Sequence, residues 1–195
     1  MKRYFIIYKP YLVLSQFTSQ LNKQTLANYF SVPKNVYPVG RLDEDSEGLL
    51  ILTNDENLNQ RLLNPLFEHE REYWVQVEGE ITQHAIMQWQ QGIEINVNGK
   101  FYKTKPCSAS IFNEEPLLPA RNPPIRFRKN ISTSWIKMTL TEGKNRQVRK
   151  MTAKVGFPTL RLVRYRIEDI ELGNMQPGEM KELSQKTIYK KLFHE

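Results

Sequence analysis

Residues 48–53, Gly-Leu-Leu-Ile-Leu-Thr, are apolar almost throughout and follow directly on a turn with four carboxylates, Asp43, Glu44, Asp45 and Glu47. A run this short, closed off by polar residues, reads as a β-strand covered on both faces rather than as a helix. Such a strand demands further strands beside it and cover above and below, so the chain has to build a sheet with packed layers. The rest of the sequence supplies them. Residues 4–8 form a second apolar strand, ended by Lys9-Pro10. A short helix is expected at 25–30, closed by Pro33. Thr53-Asn54-Asp55-Glu56 has the pattern of a capping box, opening a helix that stops before Pro65. Residues 72–77 alternate, with Tyr73, Val75 and Val77 on one face and Trp74 and Gln76 on the other. Thr82 is placed to cap a helix bearing Ala85, Ile86 and Trp89, with Gly92 past its end. Asn98-Gly99, between 93–97 and 100–104, is a type I′ hairpin signal.

The C-terminal half repeats this alternation. Residues 114–134 are a Pro-rich, basic stretch, and a structureless loop of that length is either functional or disordered. Ile136, Met138 and Leu140 alternate on a strand. Val148, Met151, Thr152 and Val155 then recur at helical spacing, with Arg146, Arg149 and Lys150 at other positions of the same helix and Gly156 as its stop. Residues 160–167 alternate as another strand. Strands prevail without regular βαβ crossovers, which points to an α+β fold with a mixed, largely antiparallel sheet.

Charge is distributed unevenly. Residues 1–42 carry six Lys or Arg and no acid, whereas residues 43–120 carry a net −9. Residues 121–166 then hold thirteen basic residues against Glu142 alone. A solvated charge run is the ordinary explanation for such a stretch, but +12 over 46 residues exceeds it. Concentrated Lys and Arg together with Trp135, Tyr165, Phe127 and Phe157 read as a polyanion-binding surface with stacking groups at hand. An anionic membrane is the weaker partner, because no basic amphipathic helix with a clean apolar face stands out.

Other classes fall away. No run of eighteen apolar residues exists, so no membrane span is expected. The basic, apolar N-terminus lacks a small-residue cleavage site and is broken by Lys9 and Pro10. The single Cys107 rules out an internal disulfide framework and suits a reducing cytoplasm. His69, His84 and His194 are scattered, so no metal site is expected. Gly143-Lys144-Asn145-Arg146 lacks the spacing of a phosphate loop, and no nucleophilic serine or cysteine pattern appears. Read by itself, the 40–48 turn is only a polar turn with carboxylates at its tip.

Three blocks change that reading. GRLDEDSEGLLILTND, REYWVQVEG and EGKNRQVRKMTAKVGFPTLRLVRY resemble, in order and spacing, the signature blocks of the RsuA-type bacterial rRNA pseudouridine synthases. The resemblance runs from Tyr4 to about Leu183. It implies the pseudouridine-synthase catalytic fold, a sheet in two lobes with a central active-site cleft, with residues 1–195 as a single catalytic domain. Family members usually carry an extra N-terminal S4-type RNA-binding domain, and none is expected here. IIYKPYLVLSQFT and ARNPPIRFRK look most like members acting on 23S rRNA. The implied enzyme is cytoplasmic and monomeric, needs no cofactor, and takes ribosomal RNA as its partner.

The resemblance also assigns residues. Asp43 matches the nucleophile of the GRLD block, and Arg41 the side chain that helps displace the flipped uridine. Tyr73 would stack on the target base, and Arg149 would pair with Asp43, with Arg146 as the alternative. Lys144, Arg146, Lys150, Arg121, Arg126 and Arg128 would contact RNA. Without the resemblance, Tyr73 reads as a core aromatic and the helix cations as a solvated face. The chemistry suits this cast: the reaction breaks a C–N glycosidic bond, turns uracil over and joins C5 to C1′ without redox or energy input. It needs a carboxylate aimed at the sugar and a dry pocket that retains free uracil. Whether Asp43 attacks C1′ or first removes a ribose proton stays open. A non-catalytic rRNA-binding protein on the same fold is the competing class, since charge does not separate the two.

Overall fold

Burial explains why 48–53 anchors the architecture. In the computed structural model, which describes residues 1–125 and 131–195, Leu49, Leu50, Ile51 and Leu52 are all fully buried. The chain divides into two compact units, the first comprising residues 1–69 and 163–195 and the second residues 70–162.

In the first unit, β1 (Tyr4–Lys9) is followed by the short strands β2 (Val13–Leu14), β3 (Gln24–Thr25) and β4 (Tyr37–Pro38), then by β5 (Glu47–Thr53) and helix α1 (Glu56–Leu63). β1 lies between β5 and the late strand β13 (Met180–Leu183), antiparallel to both, and β4 pairs antiparallel with β5. Phe5, Ile7, Leu50 and Leu52 pack on Val13, Leu26, Phe30 and Val36 to form one core of this unit. Two local expectations need correction. The helix foreseen at 25–30 is a single 3₁₀ turn, Leu26–Asn28, ended by Tyr29 at φ −119°. Helix α1 is capped by Asp55, whose side chain accepts from Asn57 N–H, and not by Thr53. Thr53 still belongs to β5, and its hydroxyl is spent on the Arg3 carbonyl and the Asp55 N–H.

The second unit opens with β6 (Arg71–Glu78) and α2 (Gln83–Gln90), capped by Thr82 as the sequence indicates. β7 (Glu94–Val97) and β8 (Lys100–Lys103) form the hairpin, with Asn98 and Gly99 both at positive φ, 53° and 82°, as a type I′ turn requires. β9 (Ser108–Ile111) pairs with β10 (Thr133–Leu140), which pairs in turn with β6, all antiparallel. Helix α3 (Gln147–Lys154) buries Gln147, Val148, Met151 and Thr152. Arg146 is not part of that helix: it is the left-handed residue before it, at φ 52°. Trp89, Val75, Val77, Ile136, Met138, Val148 and Met151 share one core.

Strand β11 (Thr159–Ile167) passes from the second unit into the first, where it pairs parallel with β5 and antiparallel with β12 (Ile170–Glu171). Helix α4 (Gln185–Phe193), capped by Ser184, closes the chain. The fold is α+β, with mixed and mostly antiparallel strand pairing. Among the described residues, no helix is long and apolar enough to cross a membrane.

Candidate active site

The turn that carries Asp43 is fixed through its neighbours. Ser15, buried at 7% exposure, accepts the Leu42 N–H with its hydroxyl oxygen (3.0 Å) and donates to the Leu42 carbonyl (2.8 Å). On the other side, the Glu44 carbonyl accepts from Leu12 N–H at 2.9 Å and from the Lys9 ammonium at 3.5 Å. The Asp43 carbonyl accepts Ser46 N–H at 3.1 Å, closing the turn. Asp43 itself is half-buried, and Arg41 is exposed.

Lys9 is fully buried at the end of β1, where its ammonium also donates to the Pro10 and Val13 carbonyls at 2.9 and 2.6 Å. Burial pushes its pKa down to about 7, against the opposing pull of the Glu47, Asp45, Asp43 and Glu44 carboxylates. The turn is tight at Gly48, which adopts φ 111°; a Cβ there would lie 2.4 Å from the Arg164 carbonyl oxygen. Only glycine permits both this backbone and so close an approach of β11.

The other candidates lie in the second unit. Tyr73 stands on β6 opposite Met138 and packs, half-buried, against the core to which Val148 and Met151 of α3 belong. That shared core joins Tyr73 and the Arg149 helix in one body. Arg149 and Lys150 are half-buried, whereas Lys144 and Arg146 are exposed just before the helix. Lys150 reaches the Asn145 side-chain oxygen at 3.3 Å, and the Lys144 ammonium lies 4.8 Å from the Tyr102 ring centroid. Arg121 is half-buried, donating to the Pro123 and Leu160 carbonyls at 2.9 and 3.4 Å. Arg126 and Arg128 lie outside the described residues.

Ser15 and Lys9 were missed as site-forming residues by the reading of the sequence. A hydroxyl and a lysine at the edge of an apolar strand look like solubility features until their carbonyl partners, 27 and 35 residues away, are known. Among the described residues, no cluster of three or more His, Cys, Asp or Glu is placed to hold a metal ion.

Comparison with known proteins gives the family. The profile of the RNA pseudouridylate synthase family matches residues 3–154. The chain is 48% identical over 183 residues to the ribosomal large subunit pseudouridine synthase E of Vibrio vulnificus (strain CMCP6), covering 94% of this chain and 76% of that protein. It is 45% identical over 174 residues to the ribosomal large subunit pseudouridine synthase E of Xanthomonas axonopodis pv. citri (strain 306), covering 88% of this chain and 89% of that one. A crystal structure of a pseudouridylate synthase superposes with a TM-score of 0.79 at 25% identity, over 98% of this chain and 74% of that one. With the family profile spanning most of its length, this chain belongs to the RNA pseudouridylate synthases.

Proposed function

We propose that this enzyme isomerises one uridine of 23S ribosomal RNA to pseudouridine, with Asp43 as the nucleophile acting on a flipped-out nucleotide. The observation that carries the assignment to Asp43 is the backbone grip on both its neighbours, by Ser15 at Leu42 and by Lys9 and Leu12 at Glu44. A turn held at both shoulders fixes where its central side chain leaves the chain, and such positioning is what a reacting carboxylate requires. The choice of large-subunit RNA is supported by the similarity to proteins named for it.

Extruding a nucleotide costs a few kcal/mol of stacking and pairing. Stacking on Tyr73 returns roughly 1–3 kcal/mol of that. Phosphate contacts from Lys144, Arg146 and Lys150, with the loop arginines Arg126 and Arg128, supply most of the rest, and Arg121, partly spent on the Pro123 and Leu160 carbonyls, adds less. In this reading Arg149, with Arg146 as the alternative, is the partner assigned to the Asp43 carboxylate, to hold it ionised and aimed, and Arg41 is assigned to displacing the uridine from the helix. Asp43 is half-buried, so the flipped nucleotide itself completes the desolvation. The enzyme acts as a monomer in the cytoplasm, where its substrate is made. Incubating the pure protein with 23S rRNA transcribed in vitro, then mapping pseudouridine by mass, tests the reading. One new site is expected, and no new pseudouridine in that RNA would refute it.

A further inference from the structure

The most basic stretch of the chain is built around a buried anion. Glu142, the lone acid among residues 121–166, is only 7% exposed. Its carboxylate accepts from the Tyr102 hydroxyl, from the Lys105 backbone N–H at 2.9 Å and from the Gln147 side-chain amide at 2.6 Å. Buried Gln147 passes the constraint on. Its side-chain oxygen accepts the Lys144 N–H at 2.9 Å, while its own backbone N–H bonds to the Lys144 carbonyl at 3.1 Å. Residues 142–147 are thereby closed into a loop, with Arg146 in the left-handed region at its end. Tyr102 acts twice, since its hydroxyl holds Glu142 and its ring lies against the Lys144 ammonium. The bond to Glu142, with burial, raises the Tyr102 hydroxyl to about 12, so it stays a donor through the neutral range.

Placing a carboxylate inside is costly unless its oxygens are satisfied, as they are here. What it offsets is the crowding of Lys144, Arg146, Arg149 and Lys150 within seven residues. Like charges so close would splay the loop, and a counter-charge beneath it holds them on one course. We propose that Glu142, held by Tyr102 and Gln147, is a positioning residue for RNA binding, setting Lys144 and Arg146 in advance where the phosphates will lie. The proposal rests on the reading above that these two cations contact RNA. A preformed loop pays less ordering entropy on binding, so loosening it weakens affinity without changing how many phosphates are met.

The experiment compares Tyr102→Phe, Glu142→Gln, their double variant and Lys144→Ala. Each is measured for its Kd toward 23S rRNA transcribed in vitro, over a salt series, and for its melting temperature. Tyr102→Phe keeps the ring and a foldable hairpin, and should bind roughly three- to tenfold more weakly with the wild-type salt slope. The double variant should bind no more weakly than Glu142→Gln alone, because both break one network. Lys144→Ala should instead flatten the slope by about 0.7–0.9, the amount that one neutralised phosphate contributes. Wild-type affinity in Tyr102→Phe, whatever its melting temperature, overturns the proposal, and so does a flattened slope in that variant. Wild-type affinity and slope in Lys144→Ala would instead refute the underlying reading that this loop touches RNA.

Discussion

The acidic turn of the first unit and the basic loop of the second are built on one plan with the charges exchanged. Asp43, Glu44, Asp45 and Glu47 surround a turn pinned from inside by a buried lysine, Lys9. Lys144 and Arg146 lie on, and Arg149 and Lys150 follow, a loop pinned from inside by a buried glutamate, Glu142. In each case a buried ionisable group of the opposite type sits under a segment that would otherwise repel itself, and hydrogen bonds satisfy that group. The difference lies in what is gripped. Lys9 and Ser15 take hold of backbone carbonyls and an N–H, which fixes a Cα–Cβ direction. Glu142 works largely through side chains and leaves long cations at the surface. A reacting carboxylate needs the first kind of restraint, whereas phosphate contacts tolerate the second.

The comparison breaks most decisively at Asp43. Asp43→Asn is nearly isosteric, so RNA affinity should stay within a few-fold of wild type while single-turnover conversion falls by at least about a thousandfold. Substantial residual conversion would remove Asp43 from its role. Next comes the shoulder. Ser15→Ala strips the Leu42 N–H and carbonyl of their shared partner in a buried place, costing about 1–3 kcal/mol of stability. By letting the turn shift, it should also slow conversion on saturating RNA by roughly 10- to 100-fold. An unchanged rate would mean that the turn holds its shape without Ser15.

Much of this could be seen in the sequence, and the exceptions share a cause. The buried run of β5, the Asn98-Gly99 turn and the Thr82 cap are local signals, carried by residues that determine their own structure. The approximate ends of α3 follow likewise from its apolar spacing and Gly156. β13, with its half-exposed Met-Lys-Glu-Leu, has no such signal and exists because it adds to β1 across more than 170 residues. β9, Ser-Ala-Ser-Ile, is likewise a strand only because β10 lies beside it. The site divides in the same way. The GRLD block makes Asp43 the candidate, but Ser15, Lys9 and Tyr102 acquire meaning only from partners distant in the chain.

The buried lysine makes the comparison testable through pH. In the folded protein Lys9 loses its proton near pH 7, against 10.5 for an ordinary lysine. Between those values the unfolded chain binds the extra proton, so wild-type stability gains as pH rises through the window, and below it the gain is absent. Lys9→Met has no such group. The substitution should therefore cost more at pH 9 than at pH 6.5, by about 2.5 kcal/mol at 1.36 kcal/mol per pKa unit. Urea unfolding of both proteins at the two values measures this. An equal cost at both would show that Lys9 keeps its proton inside the fold, the carboxylates around it outweighing burial.

The smallest effect is expected within the second unit, between two cations that the sequence alone would treat alike. Lys144 is exposed, with its ammonium 4.8 Å from the Tyr102 ring centroid. Arg121 is half-buried and spends two donors on the Pro123 and Leu160 carbonyls. A guanidinium so engaged ties down the start of its loop and has fewer donors left for a phosphate. Arg121→Ala should thus lower the melting temperature more than Lys144→Ala does. It should weaken RNA binding less, by under about threefold, with a salt slope closer to that of the wild type. The same salt series and melting curves decide it. If Arg121→Ala flattens the slope as much as Lys144→Ala, its carbonyl bonds are given up on binding, and Arg121 meets a phosphate as directly as the loop's own cations do.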